Sequence, residues 1–282
     1  MAKKIKFAVI GSPISHSRSP EIHLEFASQA NLDIEFNKVE LSKSNLEDWV
    51  HSFFLEGGKG LSVTLPFKED CLGLADEVSQ RVDKTKAINV LYNKKGKIFA
   101  DCTDGVGLVK DLVKNKKQKI EEKSILLIGA GGAARGVLPS LLEEAPKSIV
   151  VANRTIEKAK KIVEEFGSEA YQTSKSSNLI ASGLSFENMK DFEFDIVINA
   201  TSISTDPSQN LNLDESIFRN TSLALDLYYS QAFTPFMDLA DRAKVSTIID
   251  GWGMLVEQAA ESFFLWTGFR PDTSKLIEGH GE

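Results

Sequence analysis

The chain has 282 residues, 42% of them hydrophobic, and a formal net charge of -7. That length holds one large domain or two moderate ones around a substantial core, and the acidic balance excludes a general nucleic-acid surface. Its two cysteines, Cys71 and Cys102, lack paired spacing, which excludes a disulfide framework and a cysteine zinc site and fits a reducing compartment.

The basic start Met1-Ala2-Lys3-Lys4-Ile5-Lys6 resembles the opening of a signal peptide, but glycine, serine and proline interrupt the apolar run directly after Ile10. No stretch approaches transmembrane length, so a cytoplasmic protein without membrane or nucleic-acid partners is expected. Residues 4–10 read as a buried first strand and 20–30 as the helix after it. Ser44 and Glu47 have the spacing of a capping box. Behind them Leu46, Trp49, Val50, Phe53 and Phe54 share one helical face, read as core, and Gly57-Gly58 stops the helix. Residues 90–92 and 97–100 flank Asn93-Lys94-Lys95-Gly96, a hairpin signal. A helix over 106–114 and a lysine-rich stretch to Lys119 follow. Strands at 124–128, 148–152 and 247–250 belong to a second βαβ series, and an apolar helix covers 255–266. The alternation predicts an α/β protein with mostly parallel sheets and a domain boundary near Gly105.

Two short runs each end in one chargeable side chain: Ser62-Val63-Thr64-Leu65-Pro66-Phe67-Lys68, and Asp101-Cys102-Thr103-Asp104. A lysine acid/base with a carboxylate to hold it, upstream of a nucleotide loop, is the equipment for reducing a ketone to an alcohol. The bland alternative for Lys68 is a surface lysine at a helix start, where its charge would oppose the helix dipole.

The loop is Gly129-Ala130-Gly131-Gly132-Ala133-Ala134, directly after the apolar strand 124–128. Gly129 allows the tight turn, Gly131 lets backbone approach a pyrophosphate, and Ala134 is small enough for helix to pack on strand. Where an NAD-binding fold usually carries an acid to hold the ribose hydroxyls, this chain has Asn153-Arg154-Thr155, with Lys158 one helical turn later. Arg154 and Lys158 would attract a 2′-phosphate that a carboxylate would repel, which favours NADP.

Ser15 and Ser17, Ser62 and Thr64, and Cys102 and Asp104 lie two apart; in extended backbone such pairs point the same way. Each pair is therefore expected to line one cleft suited to a polyhydroxylated ring carboxylate. His16, His23, His51 and His280 have no motif-level partner, and no metal site is expected.

In order along the chain, Gly11-Ser12-Pro13-Ile14-Ser15-His16-Ser17-Arg18-Ser19-Pro20, Val63-Thr64-Leu65-Pro66-Phe67-Lys68, Ala87-Ile88-Asn89 and Thr103-Asp104-Gly105 resemble motifs of the shikimate dehydrogenase family. So do Gly129-Ala130-Gly131-Gly132-Ala133, Asn153-Arg154-Thr155, Asn199-Ala200-Thr201-Ser202 and Met254-Leu255-Val256-Glu257-Gln258, which together carry the resemblance from Phe7 to about Asp272. It implies a substrate domain over 1–104, completed by 254–282 through the returning C-terminal helix, and a doubly wound Rossmann-type NADP domain over 105–253. It also implies an NADP-dependent, reversible reduction of 3-dehydroshikimate to shikimate in aromatic biosynthesis, by a monomer or homodimer. Lys68 and Asp104 then sit at the reacting oxygen and Ser15 and Ser17 hold the substrate carboxylate. Thr64, Asn89, Tyr229 and Gln258 contact hydroxyls or frame the cleft, while Thr201 and Gly251 join Gly129, Ala130, Gly131, Gly132, Ala133, Asn153, Arg154, Thr155 and Lys158 around the cofactor.

Three positions depart from the family pattern: Ser62 and Cys102 stand where asparagine is usual, and Ser204 where glycine is usual. The first two leave open a broader quinate/shikimate dehydrogenase able to use NAD. A non-catalytic NADP-sensing module is the reading from a different class; Lys68 and Asp104 argue against it, because a sensor needs no proton donor.

Overall fold

The computed structural model describes residues 4–167, 178–205, 213–230 and 232–280; Met1–Lys3 of the basic start and the final two residues of the expected C-terminal segment lie outside these. The chain divides into two units, one running to Gly107 and taking in Val256–His280, the other spanning Leu108–Leu255.

The first unit is built on a six-stranded sheet of order β2-β1-β3-β5-β6-β4, formed by β1 (Ile5–Gly11), β2 (Ile34–Glu40), β3 (Gly60–Val63), β4 (Glu77–Val78), β5 (Val90–Lys94) and β6 (Lys97–Asp101). β1 lies parallel to β2 and β3, but β5 runs antiparallel to both β3 and β6, so this sheet is mixed. The β5–β6 pair follows from its hairpin: Lys95 and Gly96 both take positive φ, and two strands joined by so short a turn run antiparallel. Helix α1 (Ser19–Gln29) starts with proline in its first turn, where the missing N–H costs nothing. Helix α2 (Leu46–Leu55) buries Leu46, Val50 and Phe54 at successive fourth positions, while Trp49 and Phe53 stack at 5.2 Å, half-buried.

The expected capping box does not form. Ser44 lies inside a 3-10 turn, Lys43–Asn45, and its hydroxyl meets Ser42 Oγ at 2.8 Å. Asn45 is the residue ahead of α2 and makes no side-chain cap. The turn closes through the Asn45 N–H on the Ser42 carbonyl, which moves Ser44 one residue too early to reach the helix.

The second unit holds β7 (Ser124–Ile128), β8 (Ser148–Asn153), β9 (Asn178–Gly183), β10 (Ile196–Asn199), β11 (Leu223–Asp226) and β12 (Thr247–Ile249), all parallel, in the order β12-β11-β10-β7-β8-β9. The order reverses between β7 and β10, which makes the sheet doubly wound and puts its switch point at the end of β7. Ile125, Leu127, Ile149, Val151, Ile196 and Ile198 are buried in one core with α5 (Gly132–Glu143) and α6 (Ile156–Phe166); the other face packs Leu126, Val150 and Val197 on Phe194 and Phe236. Burial on both faces is why these strands read as unbroken apolar runs.

The helix expected over 106–114 begins earlier, as α4 (Asp104–Lys110), and continues as a π-helical turn, Asp111–Asn115. The short helices α3 (Gln80–Thr85) and α7 (Phe186–Met189) belong to the first and second unit; α8 (Pro235–Arg242) is capped by Thr234, and α9 (Trp252–Thr267) passes from the second unit into the first at Val256. Among the described residues no helix is long and apolar enough to cross a membrane.

Candidate active site

Lys68 follows Phe67, which is 1% exposed and packed with Ile10, Val63 and Ile88 in the core of the first unit. Burying such a ring is worth about 1.5–3 kcal/mol, enough to pin the loop that carries the lysine. The loop closes through the Phe67 N–H on the Thr64 carbonyl, and the Lys68 carbonyl accepts from the Ile88 N–H at 2.8 Å. Asp104 is the first residue of α4, where the helix start favours a negative charge. The Lys68 ammonium donates to Asp104 Oδ2, with the two side chains 12% and 5% exposed. Removing either partner of so buried a pair strands the other charge, a loss of about 3–5 kcal/mol.

Asn89 braces the carboxylate. Its Nδ2 lies 2.9 Å from Asp104 Oδ1, from Thr103 Oγ1 and from Gln258 Oε1, and its Oδ1 accepts the Thr103 N–H at 2.8 Å. Gln258 and Ser262, one turn apart on α9, close this network: Thr103 Oγ1 reaches the Gln258 carbonyl at 3.1 Å and Ser262 Oγ at 3.1 Å. The arrangement presents an ammonium donor and a carboxylate acceptor side by side, the pair that general acid–base work on an oxygen requires. Sequence reasoning missed the parts played by Thr103 and Ser262. The fourth-residue spacing of Ser262 from Gln258 was an available signal. A second support had no local signal: Arg81 grips Asp101 through Nε and Nη2, both at 2.8 Å, and reaches Glu261 at 3.2 Å.

The spacing argument for Ser15 and Ser17 fails. The backbone there is a turn, with the Ser17 N–H on the Ile14 carbonyl at 3.0 Å, so the rule for extended backbone does not apply. Ser15 is exposed; Ser17 is buried and its hydroxyl donates to Ser19 Oγ at 3.2 Å. The turn stays beside Thr64 all the same: the Ser12 N–H bonds the Leu65 carbonyl at 2.9 Å, and a side chain on Gly11 would collide with the Thr64 methyl. Lys38 Nζ reaches the Ser15 carbonyl at 2.8 Å and adds a positive charge to this loop.

The same argument fails for Cys102 and Asp104, because β6 ends at Asp101 and Asp104 already belongs to a helix. Cys102 is 2% exposed and packs in the apolar core. Burial, and next the charge of Asp104, push its thiol up to about 12, against opposing pulls from Lys68, the Asp104 backbone and Thr85. The neighbourhood expected of Cys102 is real; an open strand face is not.

In the second unit Gly129 has a φ of 115°, and a Cβ there would stand 2.9 Å from the Ala200 carbonyl oxygen, so the turn demands glycine. At Gly131 a Cβ would meet nothing within 4 Å, and α5 starts directly after it. The Arg135 N–H makes the bond to the Gly131 carbonyl, so the N–H groups of Gly132, Ala133 and Ala134 precede the helical ladder. Open space beside such donors fits a pyrophosphate. Ala130 and Ala133 are half-buried against the same core. Beyond β8, Arg154, Thr155 and Lys158 are exposed, and Asn153 Nδ2 donates to the Thr155 carbonyl at 2.9 Å. Two loose cations with no carboxylate in the Asn153–Thr155 segment suit a 2′-phosphate. Thr201 gives both its hydroxyl and its N–H to Asn199 Oδ1, at 2.7 and 3.2 Å. Gly251 lets the chain pass the Leu227 carbonyl, which a Cβ would meet at 2.2 Å. Tyr229 lies in this unit, stacked on Tyr228 at 5.7 Å and edge-on to Trp252 at 6.1 Å, whereas the other expected substrate residues lie in the first.

Comparison with known proteins matches residues 9–91 to the shikimate dehydrogenase substrate binding domain, 111–227 to shikimate / quinate 5-dehydrogenase, and 251–278 to the shikimate 5'-dehydrogenase C-terminal domain. The chain is 42% identical over 271 residues to a shikimate dehydrogenase (NADP(+)) of Chromobacterium violaceum, covering 96% of each. It is 40% identical to the enzyme of the same name from Hahella chejuensis, covering 97% of each. Among solved structures, an Ael1 enzyme from Pseudomonas putida is similar with a TM-score of 0.86 at 38% identity, covering 99% of both chains. A shikimate 5-dehydrogenase from Thermus thermophilus in complex with NADP(H) and shikimate has a TM-score of 0.83 at 29% identity, covering 97% of both.

Proposed function

Since this chain belongs to the shikimate dehydrogenase family, we propose that it catalyses the NADP-dependent, reversible reduction of 3-dehydroshikimate to shikimate, a step of aromatic amino acid biosynthesis. The observation that carries the reading is the buried Lys68–Asp104 pair braced by Asn89. When bound, the cofactor supplies the hydride that forms the new C–H bond. As the carbonyl's electron pair moves onto oxygen, Lys68 stabilises the growing charge and gives up a proton to form the hydroxyl. Asp104 holds the ammonium on one side and orients the substrate hydroxyl on the other. Lys68, left neutral, regains its proton from solvent before the next turnover.

Ser15 and Ser17 are assigned to the substrate carboxylate, with the Lys38 ammonium nearby to balance its charge. Thr64, Asn89, Tyr229 and Gln258 are assigned to the ring hydroxyls and the edge of the cleft. Gly129, Ala130, Gly131, Gly132 and Ala133 take the pyrophosphate. Asn153, Arg154, Thr155 and Lys158 take the phosphorylated ribose, and Thr201 and Gly251 the nicotinamide side. The free thiols of Cys71 and Cys102 accord with a cytoplasmic setting.

The test follows nicotinamide absorbance with shikimate or quinate and NADP or NAD, in all four pairings. Shikimate with NADP should be the most efficient pair by a wide margin. Equal efficiency with quinate or with NAD would replace this reading by the broader one, and inactivity in every pairing would reject it.

A further inference from the structure

Asp226, the last residue of β11, is fully buried, and among the described residues no cation pairs with it. Four neutral donors surround it: Asn199 Nδ2 at 3.1 Å, Ser204 Oγ at 2.5 Å, Thr234 Oγ1 at 2.7 Å and the Tyr228 N–H at 3.1 Å. Burial pushes its carboxyl above the usual range, and these hydrogen bonds pull it back. A group so costly to bury calls for an account beyond packing, since a hydrophobic residue would fill the space without the desolvation penalty.

Two of the four donors come from one segment. Asn199 ends β10, is itself fully buried, and sits in register with Asp226 on one side and Ile128 on the other. Gly129 comes next after Ile128, and the Ala200 N–H bonds the Ile128 carbonyl at 2.8 Å. The Ala200 carbonyl is the atom that a Cβ on Gly129 would strike. Asn199 Nδ2 also reaches Ser204 Oγ at 3.1 Å, and its Oδ1 accepts from the Thr201 N–H at 3.2 Å and hydroxyl at 2.7 Å. The carboxylate therefore ties both ends of the segment 199–204 to the floor of the sheet, directly beside the dinucleotide turn. Ser204 supplies its hydroxyl to this tie at the far end of the segment.

We infer that Asp226 is a positioning residue for the nicotinamide dinucleotide: acting through Asn199 and Ser204, it holds the 199–204 segment in the shape that the turn at Gly129 and its cofactor require. This rests on the proposed function. Thr234 provides the internal control, because it donates to the same carboxylate at 2.7 Å but belongs to the cap of α8 and not to that segment.

The experiment measures the dissociation constants of NADP and, separately, of shikimate, with the thermal midpoint, for the full chain and for Ser204→Ala, Thr234→Ala and Asp226→Asn. Ser204→Ala should weaken NADP about threefold to tenfold, the range of one ordinary hydrogen bond whose loss reaches the cofactor only through the segment, and leave shikimate within about twofold. Thr234→Ala should lower the midpoint at least as much while changing NADP affinity less. Asp226→Asn should have the largest effect on NADP; if it does not fold, the serine–threonine pair decides the matter alone. Equal shifts in NADP affinity for Ser204→Ala and Thr234→Ala, or no shift in Ser204→Ala, overturn the assignment. An unmodified chain that failed to bind NADP would instead overturn the functional reading, and this inference with it.

Discussion

Asp104 and Asp226 are buried to nearly the same degree, 4% and 0% exposed, yet their surroundings differ in kind. Asp104 faces an ammonium on a loop and one amide, and that ammonium is still partly open to solvent. Such a pair can trade a partner for a substrate oxygen without leaving a charge alone. Asp226 meets four neutral donors that belong to the backbone and to short side chains, and among the described residues no cation faces it. Burial by itself therefore does not mark a catalytic carboxylate; the mobility and charge of what faces it do.

The hardest test of that contrast is Lys68→Ala. It should lower kcat by about 10²–10⁴-fold, the usual share of a proton-transfer group, while NADP affinity stays as it was and shikimate binding changes little. A variant with near-normal kcat and only weaker substrate binding would make Lys68 a binding group and put the proton donor elsewhere.

A smaller effect belongs to the other unit. Arg154→Asp exchanges attraction to a 2′-phosphate for repulsion and should cut the preference for NADP over NAD by roughly 10–100-fold, as expected for one charged hydrogen bond. Shikimate binding should not respond. Unchanged cofactor preference would place the 2′-phosphate contact on Lys158 or Thr155.

His23 extends the comparison to a buried group with no hydrogen-bond partner among the described residues. It is 1% exposed, stacked at 4.6 Å on Phe36 and 4.8 Å on Trp266, with both ring nitrogens unbonded. Burial lowers its pKa from 6.5 to about 3. The folded value lies below the unfolded one, so the unfolded chain takes up the proton first as pH falls. This contribution to stability is whole above about 6.5 and is lost toward 3, at roughly 1.4 kcal/mol per pH unit. Urea unfolding at about pH 7 and about pH 5 should show a shallower acid loss for His23→Phe than for the unmodified chain; parallel losses would assign the acid sensitivity to other groups.

The smallest expected signal is in the thiols. Cys71 and Cys102 are both buried, at 0% and 2% exposure, and both are pushed up to about 12 by burial first and a neighbouring aspartate second. A thiol reagent near neutral pH should modify neither in the folded chain and both after denaturation, with or without shikimate. Rapid native modification of Cys102 that shikimate slowed would restore the open strand face that the structure denies it.

Much of the fold could be read from sequence because its causes are local. The apolar strand 124–128, the glycine turn behind it and the four-residue repeat of α2 depend on residues a few positions apart, and the strand that runs Ser124–Ile128 coincides with its expectation. The Asn93–Gly96 turn is equally local, since it needs only two residues able to take positive φ. Side-chain direction was another matter. The two-apart rule for Ser15 and Ser17, and for Cys102 and Asp104, presumed extended backbone, and the actual turn and helix start are set by bonds to distant segments such as Ser12 to Leu65. The grip of Arg81 on Asp101 and the three side-chain donors on Asp226 likewise join positions 8 to 27 residues apart, between which no spacing rule operates. Sequence by itself determined the element types, the nucleotide turn and the charged pair to look for, since propensity and periodicity act over one or two turns. Only the tertiary structure decided which buried carboxylate faces an ammonium and which faces neutral donors alone, because that depends on strands and loops brought together across the fold.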